Sequence, residues 1–156
     1  MQIFNASDRF TLPATPAQLK DIKRAVRALL DFHAADPIEE HGDTLTFSTA
    51  TFMLSSRKKP LHRFSSGQIT VTQLPDDQAE IAFNVRLSPM NIFGCVGAVI
   101  VGLMFAFVIL NTPEISPWWA LAAAGAGPVF AYSAKDQSVS RAKLALQEAA
   151  ALVDRT

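Results

Sequence analysis

The feature that most constrains this chain is a long stretch that is almost free of charge. Between Arg86 and Lys135 lie residues 87–134, 48 residues among which Glu114 is the one charged side chain. Over the whole chain 18% of residues are charged, against about 25% in typical soluble domains. The shortage of charge is therefore concentrated in one segment, and that segment limits what the chain can fold into.

Two runs within this stretch are long enough to cross a bilayer. Residues 91–110 would form a helix about 30 Å long, which matches the thickness of the hydrocarbon core. Residues 115–132 are richer in Ala and Gly and contain Pro128, which transmembrane helices tolerate where neighbouring groups satisfy the freed carbonyl. Only residues 111–114 separate the runs, enough for an antiparallel turn. We therefore predict a two-helix transmembrane hairpin over residues 90–133.

The alternative is a helical hairpin buried inside a soluble protein. A helix that is apolar on every side must be covered on every side, and the remaining chain of about 110 residues cannot cover two such helices and also form its own core.

Basic residues flank the two runs, and the turn between them has none. The positive-inside rule then places both termini in the cytoplasm and the turn outside, so we predict a cell-membrane protein with two spans in this orientation. The flanking residues are Arg86, Lys135, Arg141 and Lys143.

The polar part of the chain, residues 1–89, predicts a small cytoplasmic α+β domain. Residues 16–33 carry apolar side chains at spacings of three and four, which is typical of an amphipathic helix. The sequence from Thr15 to Gln18 has the form of a capping box. One strand-like segment precedes this helix and three follow it, the last two joined by a turn at residues 75–78. The predicted order is β-α-β-β-β, an antiparallel sheet with one face covered by the helix.

Residues 134–156 form the last predicted unit, a C-terminal cytoplasmic helix. Apolar residues recur there with 3-4-3-4 spacing from Val139 to Val153. Docking on the sheet domain is preferred to self-association, because Ala at two of five seam positions makes a weak coiled coil. The predicted fold class is thus an α+β membrane protein, in which a β-α-β-β-β domain is followed by a transmembrane hairpin and a C-terminal helix.

No pattern in the chain indicates catalysis, a cofactor or a metal site. The segment 33–43 (HAADPIEEHGD) contains metal-ligating residue types, but their spacing matches no closed metal site, and we interpret it as a solvated acidic loop. Cys95, the one cysteine, lies in the first apolar run, where a thiol behaves as a small hydrophobe. The chain has 14 basic and 14 acidic residues, and this balance disfavours a nucleic-acid binder.

Two groups of residues are candidates for contacts with lipid and between helices. Residues 52–64 place basic beside apolar side chains, and near a bilayer such residues bind anionic headgroups at about 1 kcal/mol per charge; a solvated loop is the other interpretation. Small residues recur every four positions in both apolar runs, a spacing that permits close helix packing in lipid. The lipid candidates are Arg57, Lys58, Lys59 and Arg63; the packing candidates are Gly94, Ala98, Gly102, Ala123, Gly127 and Ala131.

These features favour a membrane-anchored interaction module or accessory subunit, whose cytoplasmic domain binds a protein or lipid partner at the bilayer surface. The expected partners are the bilayer itself, anionic lipid, and another protein or a second copy of the chain. Two other classes stay open. A homo-oligomeric pore-forming or membrane-disrupting protein is disfavoured because neither apolar run shows a polar stripe. A membrane-bound enzyme would need an active site without a recognisable motif.

Overall fold

One antiparallel sheet and three α-helices are formed by the residues that the structure, a computed structural model, describes, namely 5–49 and 60–153. The strands are β1 (Asn5–Pro13), β2 (Ile38–His41), β3 (Thr44–Ser48), β4 (Phe64–Leu74) and β5 (Gln78–Leu87). The helices are α1 (Leu19–Phe32), α2 (Pro89–Leu110) and α3 (Trp118–Ala151), and a 3₁₀ turn covers Pro60–Arg63.

The strand order in the sheet is β1-β5-β4-β3-β2, with every neighbouring pair antiparallel. Strands β2 to β5 follow one another as a meander, whereas α1 carries the chain from β1 at one edge to β2 at the other. In β5 every second residue from Ala79 to Leu87 is buried, because successive side chains of a strand point to opposite faces. One face of the sheet therefore holds the core, and the other is left to solvent.

Helix α1 covers part of the core face. It presents the buried residues Ile22, Val26 and Leu30 to the sheet, as its apolar spacing predicts. The helix begins three residues later than predicted, because Thr15 to Gln18 form a turn in which the Gln18 side chain accepts a hydrogen bond from the Thr15 backbone N–H at 2.9 Å. Of the hydrogen bonds of the predicted capping box, the one that the Gln18 side chain accepts is thus present. It lies ahead of the first helical residue.

The predicted order has four strands, whereas the sheet has five. Residues 38–41, interpreted from the sequence as part of a solvated acidic loop, form β2 and pair with β3. The acidic side chain of Glu40 in this strand faces α1 and makes ion pairs with Lys23 at 3.9 Å and Arg27 at 3.5 Å. Only Ile38 is apolar in β2, so the alternation that marks a strand is missing from its sequence.

The predicted two-helix transmembrane hairpin is wrong. Among the described helices only α2 has the length and apolar composition to cross a membrane. The second predicted span is not a separate element: together with most of the predicted C-terminal helix it forms the 34-residue helix α3, which continues past Pro128 without a break. Its Ala- and Gly-rich first half is less apolar than α2, and its second half is polar on one side.

The C-terminal half of α3 packs beside α1 on the core face of the sheet. Ala142, Leu146 and Ala150 are buried in the same core cluster as the strands. Lys143 forms an ion pair at 2.9 Å with Asp8 on β1. The hydrogen bond and charge of Lys143 hold the pKa of Asp8 below its usual range. Of the two alternatives for the C-terminal segment, the structure shows docking on the sheet domain.

Candidate membrane-contact site

Helix α2 and the first half of α3 present an extensive apolar surface. The buried residues of α2 are Gly102 and Ala106, which face α3, and 6% of its most apolar 18-residue window is buried. An apolar helix in the core of a soluble protein is covered on all sides. The exposed large side chains are Met90, Phe93, Val96, Ile100, Val101, Leu103, Met104, Phe105, Phe107, Val108 and Leu110 on α2, and Trp118, Trp119, Leu121, Val129, Phe130 and Tyr132 on the first half of α3.

The two helices touch backbone to backbone where they cross. A Cβ placed on Gly102 would lie 2.7 Å from the Ala123 carbonyl oxygen, and one placed on Gly127 would lie 2.6 Å from the carbonyl oxygen of Ala98. These four packing candidates therefore meet at the crossing. Gly94 does not, since a Cβ there would have no neighbour within 4 Å.

Closer to the sheet, one further packing candidate, Ala131, lies along the same seam. The Cys95 thiol is 3.9 Å from the carbonyl oxygen of Ala131, so the thiol packs against the α3 backbone as a small group. The helices thus stay in contact from the crossing to the sheet domain.

A short, hydrogen-bonded junction attaches α2 to the sheet domain. Ser88 is the N-cap of α2, and its hydroxyl accepts hydrogen bonds from the Asn91 backbone N–H at 3.4 Å and from Asn91 Nδ2 at 2.9 Å. Pro89 follows at the first helical position, where its missing N–H costs no hydrogen bond. The carbonyl oxygen of Arg63 accepts from the Ser88 N–H at 2.8 Å and from Asn91 Nδ2 at 2.9 Å. The start of α2 is therefore fixed to both β5 and the 3₁₀ turn.

A cavity of about 230 Å³ opens beside this junction, and we call it the base cavity. Arg63 donates from Nη1 to the Ser138 hydroxyl at 2.9 Å, and that hydroxyl donates to the Ala134 carbonyl oxygen at 2.6 Å. Burial, followed by the nearby charge of Arg141, lowers the pKa of Arg63, yet a guanidinium stays protonated in proteins. The polar lining residues are Arg63, Asn91, Lys135 and Ser138; the others are Leu87, Met90, Gly94, Cys95, Phe130 and Ala134.

The sequence-based lipid candidates are only partly within the described ranges. Arg57, Lys58 and Lys59 lie outside them. Arg63 lies on the 3₁₀ turn and lines the base cavity, so it is not part of a freely solvated loop. Sequence reasoning did not assign Lys135 to this site. The available signal was its position as the first charge after the long uncharged stretch.

A pair of buried histidines closes the end of α1 against the 3₁₀ turn. His62 Nε2 lies 2.9 Å from the backbone oxygen of His33, and His33 Nδ1 lies 2.8 Å from that of Leu29. The two rings are edge to face, with centroids 5.9 Å apart. Within the described residues no three His, Cys, Asp or Glu side chains converge as a metal site would require. The contacts of this pair are those of a tertiary packing element.

Comparison with known proteins adds little to this geometry. No protein-family model matches the chain, and no curated protein matches it. Among solved structures, the crystal structure of TTHA0849 from Thermus thermophilus aligns with 87% of this chain and 97% of its own, at 10% sequence identity and a TM-score of 0.28. A score this low does not establish a common fold.

Proposed function

We propose that this protein is a membrane-anchored interaction module, in which α2 enters a bilayer and holds the sheet domain at the membrane surface. The exposure of α2 carries this proposal. A 22-residue apolar helix that is bare except along α3 leaves large side chains in contact with solvent, and removing each from water is worth about 1.5–3 kcal/mol. Contiguous apolar patches on soluble monomers rarely exceed a few hundred Å². A bilayer covers such a surface without any further protein.

The distribution of charge supports a cytoplasmic position for the sheet domain. Arg63 and Lys135 line the base cavity, and Arg141 is near enough to Arg63 to affect its pKa. The turn at the opposite end of α2 carries Glu114 and no basic residue. Basic residues collect on the cytoplasmic side of membranes, and this asymmetry favours a cytoplasmic base of α2.

The outer face of the sheet is the surface that we propose for a partner. It is polar, and two shallow depressions of about 400 and 450 Å³ lie on it. Neither α1 nor α3 covers this face, since both pack on the core side. This face is therefore open to a protein partner. Residues lining the depressions include Ser7, Arg9, Gln68, Thr70 and Asn84.

Membrane fractionation of the full chain tests the anchor. We expect the protein to stay with membranes through high-salt and alkaline carbonate washes, and to be released by mild detergent. Recovery of a monodisperse protein from the soluble fraction without detergent would overturn the proposal.

A charge-insertion variant separates anchoring from tight peripheral binding. Val101 and Met104 are exposed and three residues apart on α2, so they share one side of the helix. Lys at the centre of a membrane helix costs about 2.5–3.5 kcal/mol per residue, whereas exposed substitutions in water change stability by about 0.5 kcal/mol or less. We expect V101K/M104K to lose carbonate-resistant membrane association. The control L144K, at an exposed site on the docked half of α3, should retain it.

A further inference from the structure

The base cavity is lined by basic residues. Arg63 and Lys135 both line it, and within residues 5–49 and 60–153 Arg63 forms no ion pair with an acidic side chain. A guanidinium has five N–H donors, and one of them is used by Ser138. Arg63 is partly buried, and even partial burial of a charge is costly unless it is paired; an anion in the cavity would supply the pair.

The residues around the cavity suit an amphiphilic anion better than a soluble one. Met90 and Phe130 line it and are exposed apolar residues, at the level where the apolar helices begin. A neighbouring groove of about 390 Å³ shares Cys95 and Lys135 with the base cavity and has an almost wholly apolar lining. It includes Val96, Val99, Pro128 and Ala131, so it extends from the basic residues along α2 and α3.

We propose that the base cavity binds the phosphate of an anionic glycerophospholipid, with Arg63 and Lys135 as the phosphate ligands and an acyl chain in the adjoining groove. Arg matches phosphate oxygens with two parallel hydrogen bonds, and Lys binds phosphate as a point charge. Because the Ser138 hydroxyl already donates to Ala134 and accepts from Arg63, its part is to hold the guanidinium in place. The cavity is smaller than the ~300–1,000 Å³ of drug-sized sites, which suits a phosphate group. This inference rests on the proposed function, since it needs α2 in a bilayer.

Native mass spectrometry of the full chain in mild detergent tests the site. The protein is titrated with phosphatidylglycerol and, separately, with phosphatidylcholine, and retained lipid is counted. Each basic residue near a lipid surface contributes about fivefold to affinity, so R63Q/K135Q should bind phosphatidylglycerol roughly thirtyfold more weakly than the parent chain. R63K, which keeps the charge but not the two-pronged geometry, should show an intermediate loss.

The matched control removes two charges at the far end of the domain. Lys20 and Arg24 lie in the first turns of α1, which begins close to the β4–β5 turn, where the Ala14 N–H donates to the Asp77 carbonyl oxygen. K20Q/R24Q should keep the full preference for phosphatidylglycerol. An equal loss in both double variants, or none in R63Q/K135Q with its helical circular dichroism unchanged, would overturn the site.

Three further outcomes separate the sources of failure. Displacement of bound lipid by millimolar inorganic phosphate would assign the cavity to a free anion and overturn the lipid proposal. A parent chain that resists carbonate extraction but shows no preference for phosphatidylglycerol would remove the lipid site alone. A chain that never enters the membrane fraction would remove the proposed function as well.

Discussion

Replacing glycine by alanine on α2 and α3 should have opposite effects on stability at positions inside and outside the α2–α3 crossing. Gly102 and Gly127 lie at backbone contacts, where an added Cβ would sit 2.7 Å and 2.6 Å from carbonyl oxygens of the facing helix. Gly97 and Gly125 lie on the same two helices with nothing within 4 Å of an added Cβ. The same Gly→Ala change is therefore made at two packed and two open positions.

The expected magnitudes follow from two opposing terms. Ala is more favourable than Gly within a helix by about 0.8–1.0 kcal/mol, and this gain applies at all four positions. At the crossing the obstacle is backbone, which cannot rotate aside, so the helices must move apart; overpacking of this kind costs about 1–3 kcal/mol. We expect G97A and G125A to be stabilised by roughly 0.5–1 kcal/mol, and G102A and G127A to be destabilised by up to about 2 kcal/mol.

Thermal unfolding of the full chain in mild detergent, followed by circular dichroism at 222 nm, measures the difference. For a chain of this length 1 kcal/mol corresponds to roughly 2–4 °C in Tm. The most direct comparison is G125A against G127A, because these positions are two residues apart on one helix. Equal Tm values for these two variants, or a higher one for G127A, would refute the close approach of α2 and α3.

Three other substitutions test how the sheet domain is held together. L146A, at a core residue of α3 that is 1% exposed, should lower the free energy of unfolding by about 2–5 kcal/mol. L144A, two residues away at an exposed site, should change it by less than about 0.5 kcal/mol. Similar losses in the two variants would show that this half of α3 does not dock on the sheet. D8N should lower the free energy of unfolding by about 0.2–1 kcal/mol at pH 7. Because the folded pKa of Asp8 is lowered, the stabilisation by Asp8 is present above the unfolded pKa of about 3.9 and is lost as pH falls through the folded value. D8N should therefore reduce the dependence of the free energy of unfolding on pH on the acid side, and an unchanged dependence would exclude the Lys143 pairing. G67A should lower the free energy of unfolding by about 1–3 kcal/mol, because its Cβ would lie 2.7 Å from Val85 Cγ1 and 2.8 Å from Phe47 Cε1. Q68A, at the exposed neighbouring position, serves as the control. Full stability of G67A would contradict this packing.

Periodicity made part of the fold readable from the sequence. Strand β5 alternates buried residues with less buried ones along its length, and α1 repeats apolar residues at helical spacing, so both could be predicted. Strand β2 could not, because its residues Glu39, Glu40 and His41 are exposed and its place in the sheet depends on pairing with β3. Local pattern carries no signal for an edge strand that contributes little to the core.

The error over α3 has a different cause. Residues 115–132 are uncharged and residues 134–156 are amphipathic, so the sequence changes character near Ser133 and predicts two elements. A helix, however, ends only where its hydrogen bonds or dihedral angles are interrupted, and neither Gly nor Pro stands between Tyr132 and Ala151. The chemical character of the side chains changes along one helix whose backbone does not.

The candidate sites show the same limit. Gly94 and Gly102 share one small-residue stripe, but the stripe does not reveal where two helices come closest, and only Gly102 lies at the crossing. The base cavity joins Arg63 to Lys135, which are far apart in sequence, through the packing of a 3₁₀ turn against α3. Such a site depends on tertiary structure and leaves no local motif.

The two connections between the sheet domain and the apolar helices also bear on function. Ser88 alone separates β5 from α2, and it is hydrogen-bonded on both sides of the junction. Helix α3 forms the second connection, running from the apolar surface into the core without interruption. A flexible linker would let a domain sample many orientations, but these two connections fix one. A bilayer that holds α2 therefore also sets the direction of the outer sheet face, so a partner would be selected by its orientation at the membrane as well as by its proximity.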